Sequence, residues 1–274
     1  MPMHAIRKSG AAFLLGIAAF VFVPPAVADN AAVGVILMHG KWGSPDRAIN
    51  TLASALKGKG FLVSTPEMPW SRRRSYDKSA DDALNEIDAE VAKLREKGAR
   101  RIVVAGHSLG AAAALAYAAR RTVDAIVAIA PGHVPENRFA TAKLAEDVSR
   151  ARDMVGAGKG DETGSFLDLN SGGRSASLAM TARTYLSYAD PSGTMNFSRN
   201  AASVKPGTLV LWVEPLGEEP AIRNNLMHIF NMLPRGLNVT LIEPDANHMT
   251  TPERAKDAIV DWIESKVAAA QPKN

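Results

Sequence analysis

Ser108 stands at the centre of Gly106-His107-Ser108-Leu109-Gly110, directly after the apolar run Ile102–Ala105. A serine hydroxyl is a poor nucleophile unless it is held exposed, beside a base and near donors for a developing oxyanion. The two glycines leave room for a turn too tight for side chains, with Ser108 at its apex. The alanine-rich segment that follows is suited to start a helix. Gly and Ser are common in loops, so the pentad gains its weight from the strand before it and the helix after it.

Three further groups are needed, and the sequence offers a choice for each. His248 is the expected base, because it follows the last apolar run and precedes the last helical pattern. Of the other histidines, His4 belongs to the N-terminal segment, His39 and His107 neighbour the motifs, and His228 lies in a helical stretch. His133 falls after the fourth apolar run, from where it could reach a pocket rim. An oxyanion would be held by the Leu109 N–H together with one from His39-Gly40-Lys41-Trp42-Gly43, Lys41 first and Trp42 as the alternative. The acid that orients the histidine should follow Leu209–Val213, where Glu214, Glu218 and Glu219 all occur. Glu219 ranks first because Glu219-Pro220 has the form of a helix start, then Glu218, then Glu214.

Six apolar runs read as strands: Val33–Met38, Phe61–Ser64, Ile102–Ala105, Ala125–Ala130, Leu209–Val213 and Val239–Ile242. Several are continuous, as in a sheet covered on both faces. Helical patterns alternate with them at Asp46–Lys59 (after Ser44-Pro45), Ser79–Lys97, Leu109–Arg120 and Glu253–Val267. The expected fold class is α/β, a mostly parallel sheet of about six strands flanked by helices. Residues 131–207 are too many for one crossover and are expected as a helical and loop insertion capping the active edge. Within it Lys143–Val155 and Leu178–Tyr188 read as helices and Gly156–Gly173 as loop.

With these motifs in place, the chain resembles the α/β-hydrolase superfamily: GHSLG for the nucleophile, HGKWG for the oxyanion loop, and NHMTTPE with IVDWI for the histidine loop and closing helix. The resemblance covers nearly all of Ala32–Val267 except the insertion. It implies a Ser-His-acid triad and acyl-transfer chemistry with no metal or organic cofactor. The reaction it implies is cleavage of a carboxylic ester or thioester, a small molecule, through an acyl-enzyme on Ser108. Two other readings stay open: a non-catalytic binding module of the cell envelope on the same scaffold, and an acyltransferase using the same triad.

The loop Pro66–Asp77 follows the second strand and is expected at the same edge. There Met68 and Trp70, with His133, could wall an acyl pocket. One of Arg72, Arg73 and Arg74 could fork onto a substrate carboxylate or phosphate. The favoured reading leaves these arginines solvated or paired with Asp77, Asp81 and Asp82, since adjacent arginines cannot all face inward.

Of the 274 residues, the first 28 read as a signal peptide: a basic start (Arg7, Lys8), an apolar run Ala11–Val23, then Pro24-Pro25 before Ala26-Val27-Ala28. Cleavage is expected before Asp29, leaving 29–274 as one domain in the periplasm or secreted, with no stable membrane anchor. Without Arg7 and Lys8 the formal charge falls by two from +4. The chain also lacks the aromatic-plus-basic pattern of a nucleic-acid surface, so no nucleic-acid partner is expected. Cysteine is absent, which excludes disulfides, a thiol nucleophile and a lipidated cysteine.

Overall fold

In the apolar runs, alternate residues face opposite sides of one sheet, which is why the runs are continuous. The computed structural model describes residues 29–170 and 174–269; the expected signal segment 1–28 lies outside them. Eight strands are present among the described residues: β1 (Val33–Met38), β2 (Leu62–Ser64), β3 (Arg101–Ser108), β4 (Ala125–Pro131), β5 (Thr163–Leu169), β6 (Ser175–Thr181), β7 (Leu209–Val213) and β8 (Asn238–Ile242). Six form one sheet in the order β2-β1-β3-β4-β7-β8, every neighbouring pair parallel.

Val35, Leu37, Val103, Ala105, Val127, Ile129 and Leu211 face a layer made by α1 (Asn50–Gly58) and the C-terminal helices. Ile36, Met38, Val104, Ile126, Ala128 and Trp212 face the other layer, with α2 (Ala80–Glu96) and α3 (Leu109–Arg120). Each fully buried Val, Leu or Ile contributes about 1.5–3 kcal/mol relative to exposure, so these two layers outweigh any surface ion pair. The chain leaves β1 for α1 on one face and leaves the adjacent β3 for α3 on the other. The two loops therefore diverge and open a crevice beyond the carboxyl ends of the strands, where α/β sheets bind ligands.

The C-terminal segment is helical as expected but not continuous. α8 (Thr251–Arg254) yields at Ala255 to α9 (Lys256–Trp262) and a π-helical turn over Ile263–Ala268. Ile259, Ile263 and Val267 are all fully buried, so the apolar stripe is kept through the change of pitch. At the other end α1 starts at Asn50, not Asp46. Turns closed by Arg47 N–H to Ser44 and Asn50 N–H to Arg47 occupy the residues that resembled a helix start.

The insertion departs most from expectation. α4 (Arg138–Gly156) is longer than the pattern suggested, and an antiparallel hairpin of β5 and β6 follows where a loop and the start of a helix were expected. Thus Leu178–Thr181 is strand, and helix begins only with α5 (Ala182–Ala189), before α6 (Phe197–Ala202). The inward positions of β5 are Phe166 and Asp168, both buried. An aspartate at the second position conceals the period of two that would have marked the strand.

Candidate active site

Ser108 ends β3 and begins α3 with φ 56° and ψ −117°, a backbone state that non-glycine residues avoid and that costs on the order of 1–3 kcal/mol. The turn closes because Gly106 has no side chain; a Cβ there would lie 2.2 Å from the Gly110 carbonyl carbon. Ser108 itself is 7% exposed at the floor of a cleft, and Leu109 N–H, first in α3, has no intrahelical acceptor.

The loop after β1 lies against this serine. A Cβ on Gly40 would stand 3.0 Å from the Ser108 Cβ. Lys41 N–H donates to no group among the described residues, whereas Trp42 N–H is taken by the Trp70 carbonyl at 2.9 Å. Of the two oxyanion candidates on this loop, Lys41 therefore keeps a free donor and Trp42 does not. His39 holds the turn by its ring: Nδ1 donates to the Gly40 carbonyl (2.8 Å) and Nε2 accepts from Met68 N–H (3.1 Å). Burial holds its pKa below the usual histidine value, which keeps the accepting nitrogen free.

Met68 and Trp70 do not wall a pocket. Both are fully buried, and the Trp70 indole donates to the His39 carbonyl at 2.9 Å. Their polar atoms brace the loop after β1, and their apolar bodies fill the core beneath it. The three arginines separate as well. Arg74 forks onto Glu86 (2.7 Å from each of two nitrogens) and reaches Asp77, and Arg73 pairs with Glu67. Arg72 is exposed and lines the cleft that contains Ser108.

Glu218, not Glu219, meets the histidine: its Oε2 lies 2.9 Å from His248 Nδ1. Backbone pairing delivers it there. Glu214, Leu216 and Gly217 N–H groups bond to Ile242, Pro244 and Ala246 carbonyls, extending the β7–β8 contact past the ends of both strands. Gly217 passes so close that a Cβ would lie 2.7 Å from the Ala246 oxygen. Burial raises the Glu218 pKa, but the His248 hydrogen bond and charge and the Glu219 N–H together set it below the usual carboxylate value. Glu219 instead caps α7 (Pro220–Phe230), its carboxylate accepting from Ile222 N–H at 3.0 Å. Glu214 is fully buried, accepts from the Trp212 indole at 3.0 Å, and its Oε1 has no partner. Burial, opposed by that indole, pushes its pKa up to about 7.

His248 is held from its other side. Its carbonyl receives His107 Nε2 at 2.8 Å, and burial lowers the His107 pKa to about 3 and so keeps that ring neutral. Asn247 Oδ1 accepts from Met249 and Thr250 N–H at 3.0 Å, fixing the turn. A Cβ on Gly132 would come within 2.9 Å of Ser108 Oγ and 3.4 Å of His248 Cε1, so this glycine marks where nucleophile and base converge. Gly132 was not read from the sequence; its position directly after β4 was the available signal.

Asp168 was also missed, because it lies in the hairpin that read as loop. Its carboxylate accepts from Lys41 Nζ (2.6 Å), Trp42 Nε1 (2.9 Å) and Tyr76 OH (2.8 Å), while Lys41 Nζ also donates to the Leu169 carbonyl (2.7 Å). The insertion thereby grips the loop that supplies the Lys41 N–H. Two hollows meet at the site. One of about 590 Å³ is walled by Leu144, Met180, Tyr185, Tyr188 and Leu226, with His133 and His248 at its edge. His133 donates to the Tyr188 carbonyl (2.9 Å), and burial, with the nearby Lys41 charge, lowers its pKa to about 3. The other, about 1020 Å³, contains Ser108. Among the described residues no three His, Asp or Glu side chains gather as metal ligands would, and no helix is long and apolar enough to cross a membrane.

The family model described as alpha/beta hydrolase matches residues 35–262. No curated protein sequence matches the chain. Solved structures share the fold at low identity. A metagenome-derived protein described with the lipolytic enzymes LipS and LipT is 17% identical with a TM-score of 0.58, over 87% of this chain and 96% of its own. The monoacylglycerol lipase of Paleococcus ferrophilus is 21% identical with a TM-score of 0.60, over 85% and 94%. The thioesterase domain from the curacin biosynthetic pathway is 16% identical with a TM-score of 0.53, over 87% and 93%.

Proposed function

Because the chain belongs to the alpha/beta hydrolase family, we propose that it is a serine hydrolase of carboxylic esters or thioesters, acting through an acyl-enzyme on Ser108. The observation that carries this reading is the 2.9 Å contact of His248 Nδ1 with Glu218, beside a serine in a strained turn. In the proposed cycle His248 Nε2 takes the Ser108 proton as Oγ attacks the carbonyl carbon. Lys41 and Leu109 N–H groups hold the oxyanion, and Glu218 fixes the tautomer and offsets the imidazolium charge. His248 then protonates the departing oxygen or sulfur. Water repeats the sequence on the acyl-enzyme and releases the acid. Residues 131–207 act as the cap of this site, and the apolar cavity beneath them takes the acyl group.

Ser108→Ala should abolish turnover of a short-chain aryl ester and labelling by a serine-directed phosphonate, with the circular dichroism spectrum unchanged. Turnover surviving in that variant would remove the reading. We also propose export to the periplasm or beyond, from the signal-like residues 1–28. N-terminal sequencing of the protein recovered from the envelope or medium should begin at Asp29, and an intact Met1 there would refute cleavage.

A further inference from the structure

We propose that the cleft on the open side of Ser108 is a subsite for a leaving group that carries a carboxylate or phosphate; this rests on the hydrolase reading above. His248 borders two hollows of different lining, and Ser108 lies in one of them. One is walled mainly by apolar side chains, many of them from the insertion, and suits an acyl chain. The other is lined by Arg47, Arg72 and Arg73, which the first lacks, and by two carboxylates, Asp46 and Glu67.

Leaving Arg174 out of the count, and setting Asp46 against its neighbour Arg47, the cleft still has more cations than carboxylates. Glu67 is engaged by Arg73, and Lys41, at the boundary between the hollows, is neutralised by Asp168. His39 and His107 also border the cleft, but burial keeps both rings neutral. Arg47 and Arg72 are both exposed; Arg47 has the charge of Asp46 beside it, and Arg72 forms no ion pair among the described residues. Arg74, next in sequence, has no such freedom, since Glu86 and Asp77 hold it. A cleft lined with one sign of charge concentrates ligands of the other sign, and guanidinium groups fork onto carboxylates and phosphates.

The two hollows divide the substrate at the bond that breaks. With the acyl chain in the apolar cavity, the Ser108 Oγ–carbon bond forms and the carbon–oxygen or carbon–sulfur bond breaks. The proton carried by His248 passes to the departing atom, whose remaining part lies in the arginine-lined cleft. An anionic substituent on that part meets Arg47 and Arg72.

The test uses matched substrates on the full mature chain, its Arg47→Ala and Arg72→Ala variants and the double variant. One pair is p-nitrophenyl butyrate and its ring-carboxylated analogue; the other is the butyryl thioester of N-acetylcysteamine and that of coenzyme A, which bears phosphates. Each substitution should lower kcat/KM for an anionic member by roughly three- to tenfold, mostly through KM, and leave its neutral partner within about twofold. Added salt should erode the wild-type preference. The pair with the larger selective loss identifies carboxylate or phosphate as the recognised group. Equal losses on both members of each pair, or no loss on either, overturns the subsite while leaving ester hydrolysis standing. Failure of every substrate together with an unlabelled Ser108 removes the hydrolase reading and the subsite with it.

Discussion

Glu218 and Glu219 are neighbours with the same functional group, and only one can orient His248. Glu218 makes the 2.9 Å contact, whereas Glu219 satisfies an open N–H at the start of α7. Glu218→Gln should therefore leave the fold intact and lower kcat by about 10³–10⁴, since an amide favours the wrong imidazole tautomer. Glu219→Ala should keep kcat within about twofold and cost roughly 0.5–2 kcal/mol of stability as a lost cap. Parallel ester kinetics and urea melts separate the two, and comparable losses of kcat would refute the assignment. Ser108 and His248 stand out in the chain because each is bracketed by a strand and a helix. The glutamate that meets His248 does not stand out, because three glutamates share one short loop. What selects Glu218 is the pairing of 214–217 with 242–246, which involves residues distant in sequence.

The loop after β1 and the β5–β6 hairpin are separate elements joined through one carboxylate. Lys41 and Trp42 both donate to Asp168, so the side chains of the loop after β1 are pinned while the Lys41 N–H has no acceptor among the described residues. Losing one oxyanion donor costs about 10²–10³ in rate, and loosening one should cost part of that. Asp168→Ala should lower kcat by about tenfold or more and weaken a boronic acid inhibitor, which forms the tetrahedral adduct, by a similar factor. Affinity for the carboxylic acid product should move much less. Loss of both affinities alike would mean the hairpin had collapsed. Stability should fall by about 3–5 kcal/mol, because Lys41 would be left buried and unpaired. The sheet was legible as continuous apolar runs, and the hairpin was not. Its only two buried positions in β5 are an aromatic and this aspartate, and Met180 is the only buried residue of β6. Its stability comes from strand pairing and from Lys41, Trp42 and Tyr76, none of which local periodicity reports.

Across the whole molecule, the pH dependence of folding follows from histidines buried without charge. His107 and His133 have pKa values lowered to about 3 and His39 is lowered too, in each case chiefly by burial. A lowered folded-state value means that the unfolded chain binds protons first. The stability these groups contribute is complete above the ordinary histidine value of 6.5 and is lost progressively as pH falls toward 3. Glu214 acts in the opposite sense. Its value is raised from 4.5 to about 7, so its contribution declines as pH rises between those limits. Three groups against one leave a net loss on acidification, on the order of a few kcal/mol between pH 6.5 and 4.5. Urea midpoints measured across that window should fall with pH. Glu214→Gln should steepen the fall, because it removes the one opposing term, and its stability relative to wild type should grow from pH 4.5 to 7. A wild-type midpoint that held level or rose on acidification would mean that these rings are not buried neutral in the folded protein.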